Sequence, residues 1–147
     1  MGVIIPPPLA DGMTFTIQGN SPTALGGEGG GLGYFDIRNS VAVVFDLFKD
    51  GGNLTGLYTD GQFPCCGNGV SVHVGGGVDL KNQNPKRVVL SYDGTILTET
   101  ITDLTTTATF TTSYTVNISS KVLIGSSNLF YIGFTGARAD WPPFRKC

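Results

Sequence analysis

Asp46 and Asp50 lie in NSVAVVFDLFKDGG (39–52), an otherwise apolar run that reads as a strand. Side chains on a strand alternate, so these two carboxylates share one face with Phe48 between them. Carboxylates grouped in this way are hard oxygen donors of the kind that hold calcium, which takes about 6–8 oxygens. The competing reading makes Asp46 a buried carboxylate held by backbone N–H groups or by Arg38, because an unpartnered buried charge is too costly to keep.

The other residues with chemistry to offer are scattered. Glu28 and Glu99 are the only glutamates. They give no Glu-x-Asp-x-x-Glu strand, the pattern that would set two carboxylates about 5–5.5 Å apart for retaining glycoside hydrolysis. Hydrolase activity is not expected. His73 is the single histidine, on the polar side of VSVHV (70–74), and reads as solvated. Cys65 and Cys66 are adjacent and Cys147 is the last residue, a spacing that makes no disulfide framework. Asn53-Leu54-Thr55 and Asn117-Ile118-Ser119 match the glycosylation acceptor pattern, a match read here as chance.

These residues must be positioned by strands. Twenty-two glycines, eight prolines and a Thr-rich tract leave few helix formers, and no stretch carries a sustained 3.6-residue stripe. Strand-like runs recur at 13–18, 40–48, 55–61, 70–74, 107–118 and 128–137. In 70–74 the alternation puts Val70, Val72 and Val74 inward. The stretch 86–102 reads as a hairpin on an Asp93-Gly94 type I′ turn. That turn would pair Tyr92 with Thr95, Leu90 with Leu97 and Val88 with Glu99. One hairpin face then holds Val88, Leu90, Tyr92, Leu97 and Ile101, with Glu99 among them, facing a wet groove or a sheet edge. Run 41–48 is apolar on both faces, which favours a β-sandwich over a barrel.

Composition excludes several classes. A net charge of −2, with 14% of residues charged, gives no electrostatic footprint for nucleic acid or an anionic membrane. No apolar run approaches the roughly 20 residues of a membrane span. The start MGVIIPPPLADG lacks the basic region of a signal peptide and lacks Ser or Thr at position 6 for myristoylation. The length suits one domain.

Six segments in a fixed order carry a resemblance: ADGMTFTIQ (10–18), GGGLGY (29–34), NSVAVVFDLF (39–48), TGLYTDG (55–61), LSYDGTILTETITD (90–103) and FYIGFTGA (130–137). Together they make the chain, from about Ala10 to Ala137, similar to L-type (legume-type) lectin domains, in particular their bacterial relatives. The resemblance implies an all-β, concanavalin-like jelly-roll sandwich with a flat back sheet and a curved front sheet, and sugar bound by loops at one end of the curved sheet. Residues 1–147 would be one partial domain, with an atypical tail over 138–147. The expectation is a domain truncated at both ends, the alternative being a naturally minimal variant. Missing strands would leave open edges that invite self-association. A secreted or cell-surface setting is implied as well.

By the same resemblance Asp11 accepts hydrogen bonds from sugar hydroxyls, with a cis peptide before it, or is only a turn before a strand. Gly30 or Gly31 donates a backbone N–H, or the glycines are only a flexible loop, and Phe48 or Tyr34 stacks on the sugar. Asp50 stands where the family has Asn, and a carboxylate cannot donate as an amide does. Arg138 could supply donors. Two metals normally brace the loops. Asp46, the Phe48 carbonyl and Asp50 match calcium ligands, but Val44 stands at the glutamate place and Leu54 at the histidine place. The transition metal is therefore not expected, and calcium is left short of ligands. The implied function is non-enzymatic binding of glycans or polysaccharide. The alternative is a structural or adhesive surface domain that keeps the fold and has lost metal and sugar.

Overall fold

The computed structural model describes residues 10–48, 53–64, 69–124 and 129–138. Eight strands run in chain order: β1 (Asp11–Gln18), β2 (Ser40–Asp46), β3 (Leu54–Thr59), β4 (Val70–Ser71), β5 (Lys86–Tyr92), β6 (Ile96–Asp103), β7 (Thr109–Thr115) and β8 (Tyr131–Arg138). They form two antiparallel sheets, a five-stranded one in the order β4-β3-β2-β1-β8 and a three-stranded one in the order β5-β6-β7. No helix among the described residues is long and apolar enough to cross a membrane.

Strand β2 is buried along its whole length because both faces are covered. Val41, Val43 and Phe45 pack between the sheets with Ile101, Leu97 and Phe110. Ala42 and Val44 point the other way, against Leu32, Tyr34, Ile37 and Tyr58. Leu32, Tyr34 and Ile37 belong to the Gly-rich stretch between β1 and β2, which folds back over its own sheet. This explains why the run is apolar throughout: half of it meets a sheet and half meets a loop.

Two expectations are corrected. Only Val70–Ser71 pairs as a strand; Val72–Gly76 is a helical turn, here α1. Ser71 Oγ accepts the Val74 N–H at 3.3 Å and caps it, and Val70 and Val74 are 47% and 87% exposed rather than inward, Val72 alone being buried. Glycine lets this turn sit on β7, since a Cβ at Gly76 would lie 2.5 Å from Thr109 O. In the hairpin, Tyr92 faces Leu97, Leu90 faces Glu99 and Val88 faces Ile101, so the pairing has slipped by two residues. The turn is longer because the Asp93 carboxylate accepts the N–H groups of Thr95 and Ile96 at 2.8 and 2.7 Å. A slip of two keeps every side chain on its expected face.

Glu99 also differs from expectation. It lies on β6, the central strand of its sheet, and is fully buried between the layers rather than in a wet groove or at an edge.

The three-stranded sheet covers only part of its partner. Phe15 and Ile17 of β1 pair across with Phe134 and Ile132 of β8, and the latter two stand 70% and 59% exposed. Two apolar grooves of about 510 and 610 Å³ open along this flank, sharing Phe15 and Leu90.

Candidate functional site

Asp11 opens β1 and is 2% exposed. Its peptide bond with Ala10 is cis. Its carbonyl accepts the Leu47 N–H at 3.0 Å, which ties the start of β1 to the chain leaving β2. The next residue must be glycine: a Cβ at Gly12 would meet Phe45 O at 2.1 Å, and its φ is +142°. Asp11 therefore sits beside a close approach of β1 to β2.

The Gly-rich stretch brings a second element to the same end. Gly29–Gly31 forms a 3-10 turn, and a Cβ placed on Gly29 would lie 3.7 Å from Asp11 Oδ2. Past the turn, Gly33 at φ +68° lies so close to β8 that an added Cβ would be 3.1 Å from Gly136 O. Arg138, exposed, stands opposite Asp11 in the β1–β8 register. Thus Asp11, the glycine turn and the end of β8 converge. Gly31 N–H is donated to Glu28 O at 2.9 Å within the turn. In such a turn the first N–H groups, here those of Gly29 and Gly30, have no partner inside the helix.

Asp46 ends β2 at this same end of the sheet and is 4% exposed. Its Oδ1 accepts the Phe48 N–H at 2.9 Å, the backbone partner that one of its two readings anticipates. Arg38 is engaged elsewhere, donating from Nε to Asp36 at 2.9 Å in an exposed pair. Phe48 is half-buried. Asp50, Cys65, Cys66 and Cys147 lie outside the described residues.

The positions that would ligate a transition metal do not fit one. Val44 is buried among Leu32, Tyr34, Ala42 and Tyr58, and Leu54 faces Asp46 across the β2–β3 pair. Neither offers nitrogen or oxygen from its side chain. Among the described residues no three His, Cys, Asp or Glu side chains gather as a metal centre.

Tyr34 is not available for stacking on a ligand. It is fully buried, its hydroxyl shared with Ser40 at 2.9 Å and accepting the Gly61 N–H at 3.2 Å. Burial pushes its phenol above the ordinary range. The adjacent Phe35 points outward and meets Phe63 edge to face, with ring centres 5.0 Å apart. Sequence reasoning missed both: alternation says that residues 34 and 35 point opposite ways, not which one is inward. His73 is exposed, on α1.

The fold is that of the legume lectins. Basic winged bean lectin with Tn-antigen superposes with a TM-score of 0.70 at 22% identity, covering 90% of this chain and 54% of that one. Winged bean acidic lectin complexed with methyl-alpha-D-galactose gives 0.69 at 24% identity, covering 92% and 56%. Arcelin-5, a lectin-like defense protein from Phaseolus vulgaris, gives 0.66 at 21% identity, covering 87% and 54%. The two antiparallel sheets are thus a jelly-roll β-sandwich, as expected. The chain spans a little over half the length of these structures. No family model matches the sequence, and no curated protein does.

Proposed function

We propose that this chain is a non-enzymatic, lectin-like domain that binds glycans at the end of the five-stranded sheet where Asp11 lies. The observation that carries the reading is the Asp11 carboxylate, held beside the Gly29–Gly31 turn on a backbone that only glycine at position 12 permits. A carboxylate fixed beside N–H groups that have no partner inside their turn can accept from one sugar hydroxyl while the backbone donates to another. Within the turn Gly30 is the better donor, because Gly31 N–H is already engaged. Phe48, Asp50 and Arg138 complete the proposed contacts, Arg138 as the donor opposite Asp11. The two glutamates support a non-enzymatic role: Glu28 is exposed on a loop and Glu99 is buried between the sheets, so they do not flank one bond. We place the domain in a secreted or cell-surface protein on the strength of its lectin-like sequence segments.

A glycan array probed with and without EDTA tests the proposal. Binding that Asp11→Ala abolishes, with an unchanged melting temperature, supports it. Absence of binding to every glycan sinks it.

A further inference from the structure

Phe35 and Phe63 are 41% and 39% exposed and pack edge to face at an interplanar angle of 80°. Single exposed aromatics are ordinary, but two locked together on a surface form a rigid apolar patch. Its place matters more than its area. The Phe35 ring lies against the glycine stretch: a Cβ on Gly27 would touch its Cδ1 at 3.0 Å, and one on Gly31 its Cβ at 3.1 Å. That same stretch carries Gly29, the neighbour of the Asp11 carboxylate.

Phe63 comes from a different element. After β3 the chain turns at Gly61, whose amide is held by the Tyr34 hydroxyl, and folds back toward Asp46. Pro64, next to Phe63, is buried and lines a small crevice with Val44, Asp46 and Leu54. The aromatic pair therefore spans from the glycine turn beside Asp11 to the segment packed near Asp46. Asp36, next to Phe35 in the chain, forms an exposed ion pair with Arg38.

We infer that Phe35 and Phe63 form a second subsite, taking the apolar C–H face of a sugar residue adjoining the one that Asp11 binds. A pyranose carries hydroxyls around its rim and C–H bonds on its faces, and the electron-rich face of an aromatic ring attracts those positively polarised C–H edges. The ligand class is accordingly a glycan of at least two residues. This inference rests on the lectin reading above, and it adds chain-length preference to it.

The test uses the full chain, a glycan array of one to six residues, and titration calorimetry with the monosaccharide and the longest glycan bound. Wild-type protein should prefer the longer glycan. Phe63→Ala and Phe35→Ala should each weaken the longer glycan by about tenfold and the monosaccharide by less than about twofold. Phe63→Tyr, which keeps the ring, should restore most of the loss. Equal loss for both ligands, or no loss for either, overturns the inference and leaves the lectin reading standing. If wild-type protein binds no glycan at all, the lectin reading falls and the subsite falls with it. Circular dichroism and thermal melts of each variant separate unfolding from a binding defect.

Discussion

Thr55 on β3 and Glu99 on β6 join the two sheets through a buried hydrogen bond, the threonine hydroxyl lying 2.8 Å from one carboxylate oxygen and 3.0 Å from the other. Tyr114 on β7 adds a second donor at 2.9 Å. Nothing in that layer supplies a cation, so the carboxyl group is held by hydroxyls alone among the described residues. Burial raises its pKa above the usual 4.5, and the two hydrogen bonds offset part of that rise. The Tyr114 phenol is pushed upward in turn, by its own burial and then by Glu99.

The sign of the resulting pH dependence follows from linkage. A carboxyl group whose pKa rises on folding contributes stability that is complete below its unfolded value and is lost as pH climbs through the folded one. Urea midpoints should therefore fall as pH rises above about 4.5, and Glu99→Gln should flatten that slope. Thr55→Val should cost about 1–3 kcal/mol near neutral pH, because it strips a donor from a buried carboxylate. A wild-type profile parallel to that of Glu99→Gln would contradict this.

Asp103 acts in the opposite direction. Its buried carboxylate accepts from Asn82 at 2.9 Å, from the N–H groups of Thr105 and Thr106 at 2.9 Å each, and from Asn84, with Lys86 at 3.4 Å. The Asn82 and backbone hydrogen bonds hold its pKa far below the ordinary 3.8. Its contribution is present above that ordinary value and is lost as pH falls below it. Asp103→Asn should lower the melting temperature at pH 6 and make acid unfolding shallower, as read by circular dichroism from pH 6 to pH 2. An unchanged acid limb would count against the assignment.

Transition metals should leave the protein unmoved. With Val44 and Leu54 packed at the ligand places, zinc or manganese at about 1 mM should not shift the melting temperature. A ligand at 100 times its Kd would stabilise by about 2.7 kcal/mol, an effect easily seen. Calcium is measured in the same scan: a midpoint that stays put at millimolar calcium argues against a site built on Asp46, Phe48 and Asp50. A zinc-dependent rise would overturn the reading of Val44 and Leu54.

The open flank should drive self-association. Among the described residues β8 is the edge of its sheet, with Ile132 and Phe134 exposed on its inner face, and β5 is an edge of the other with Val89 52% exposed. Unprotected edges of this kind pair with other chains. Sedimentation velocity should show concentration-dependent association between about 1 and 100 μM, and Phe134→Lys should return the protein toward monomer. A monomer throughout that range would refute the expectation.

Much of the scaffold was legible because period-two alternation survives local error. The hairpin shows this: its turn is longer than Asp93-Gly94 alone predicts, yet a slip of two residues leaves Val88, Leu90 and Ile101 on one face, as alternation predicts. Residues 70–74 show the opposite case. Val72 and Val74 fit an alternating pattern, but the Ser71 cap and the glycines after Val74 turn the chain into a helix, and no pattern of apolarity reports that. The cis peptide before Asp11 was legible through the family-like setting of ADG rather than through any physics visible in three residues. Phe63 was not legible at all, because its nearness to the glycine turn depends on the chain folding back after Gly61. The burial of Tyr34 is not legible either, because it depends on the tertiary contacts of its hydroxyl with Ser40 and Gly61.

The pairing of β1 with β8 sets a schedule for folding. Asp11 meets Arg138 in that register, so the first and last strands described are neighbours in one sheet. During synthesis β1 can zip onto β2 early, but its other side stays bare until β8 has left the ribosome. Loop closure over such a distance is slow, and all-β folds dominated by non-local pairings form in roughly milliseconds to seconds. Until β8 pairs, Phe15 lacks the edge-to-face contact with Phe134, whose ring centre lies 5.8 Å away in the folded sheet.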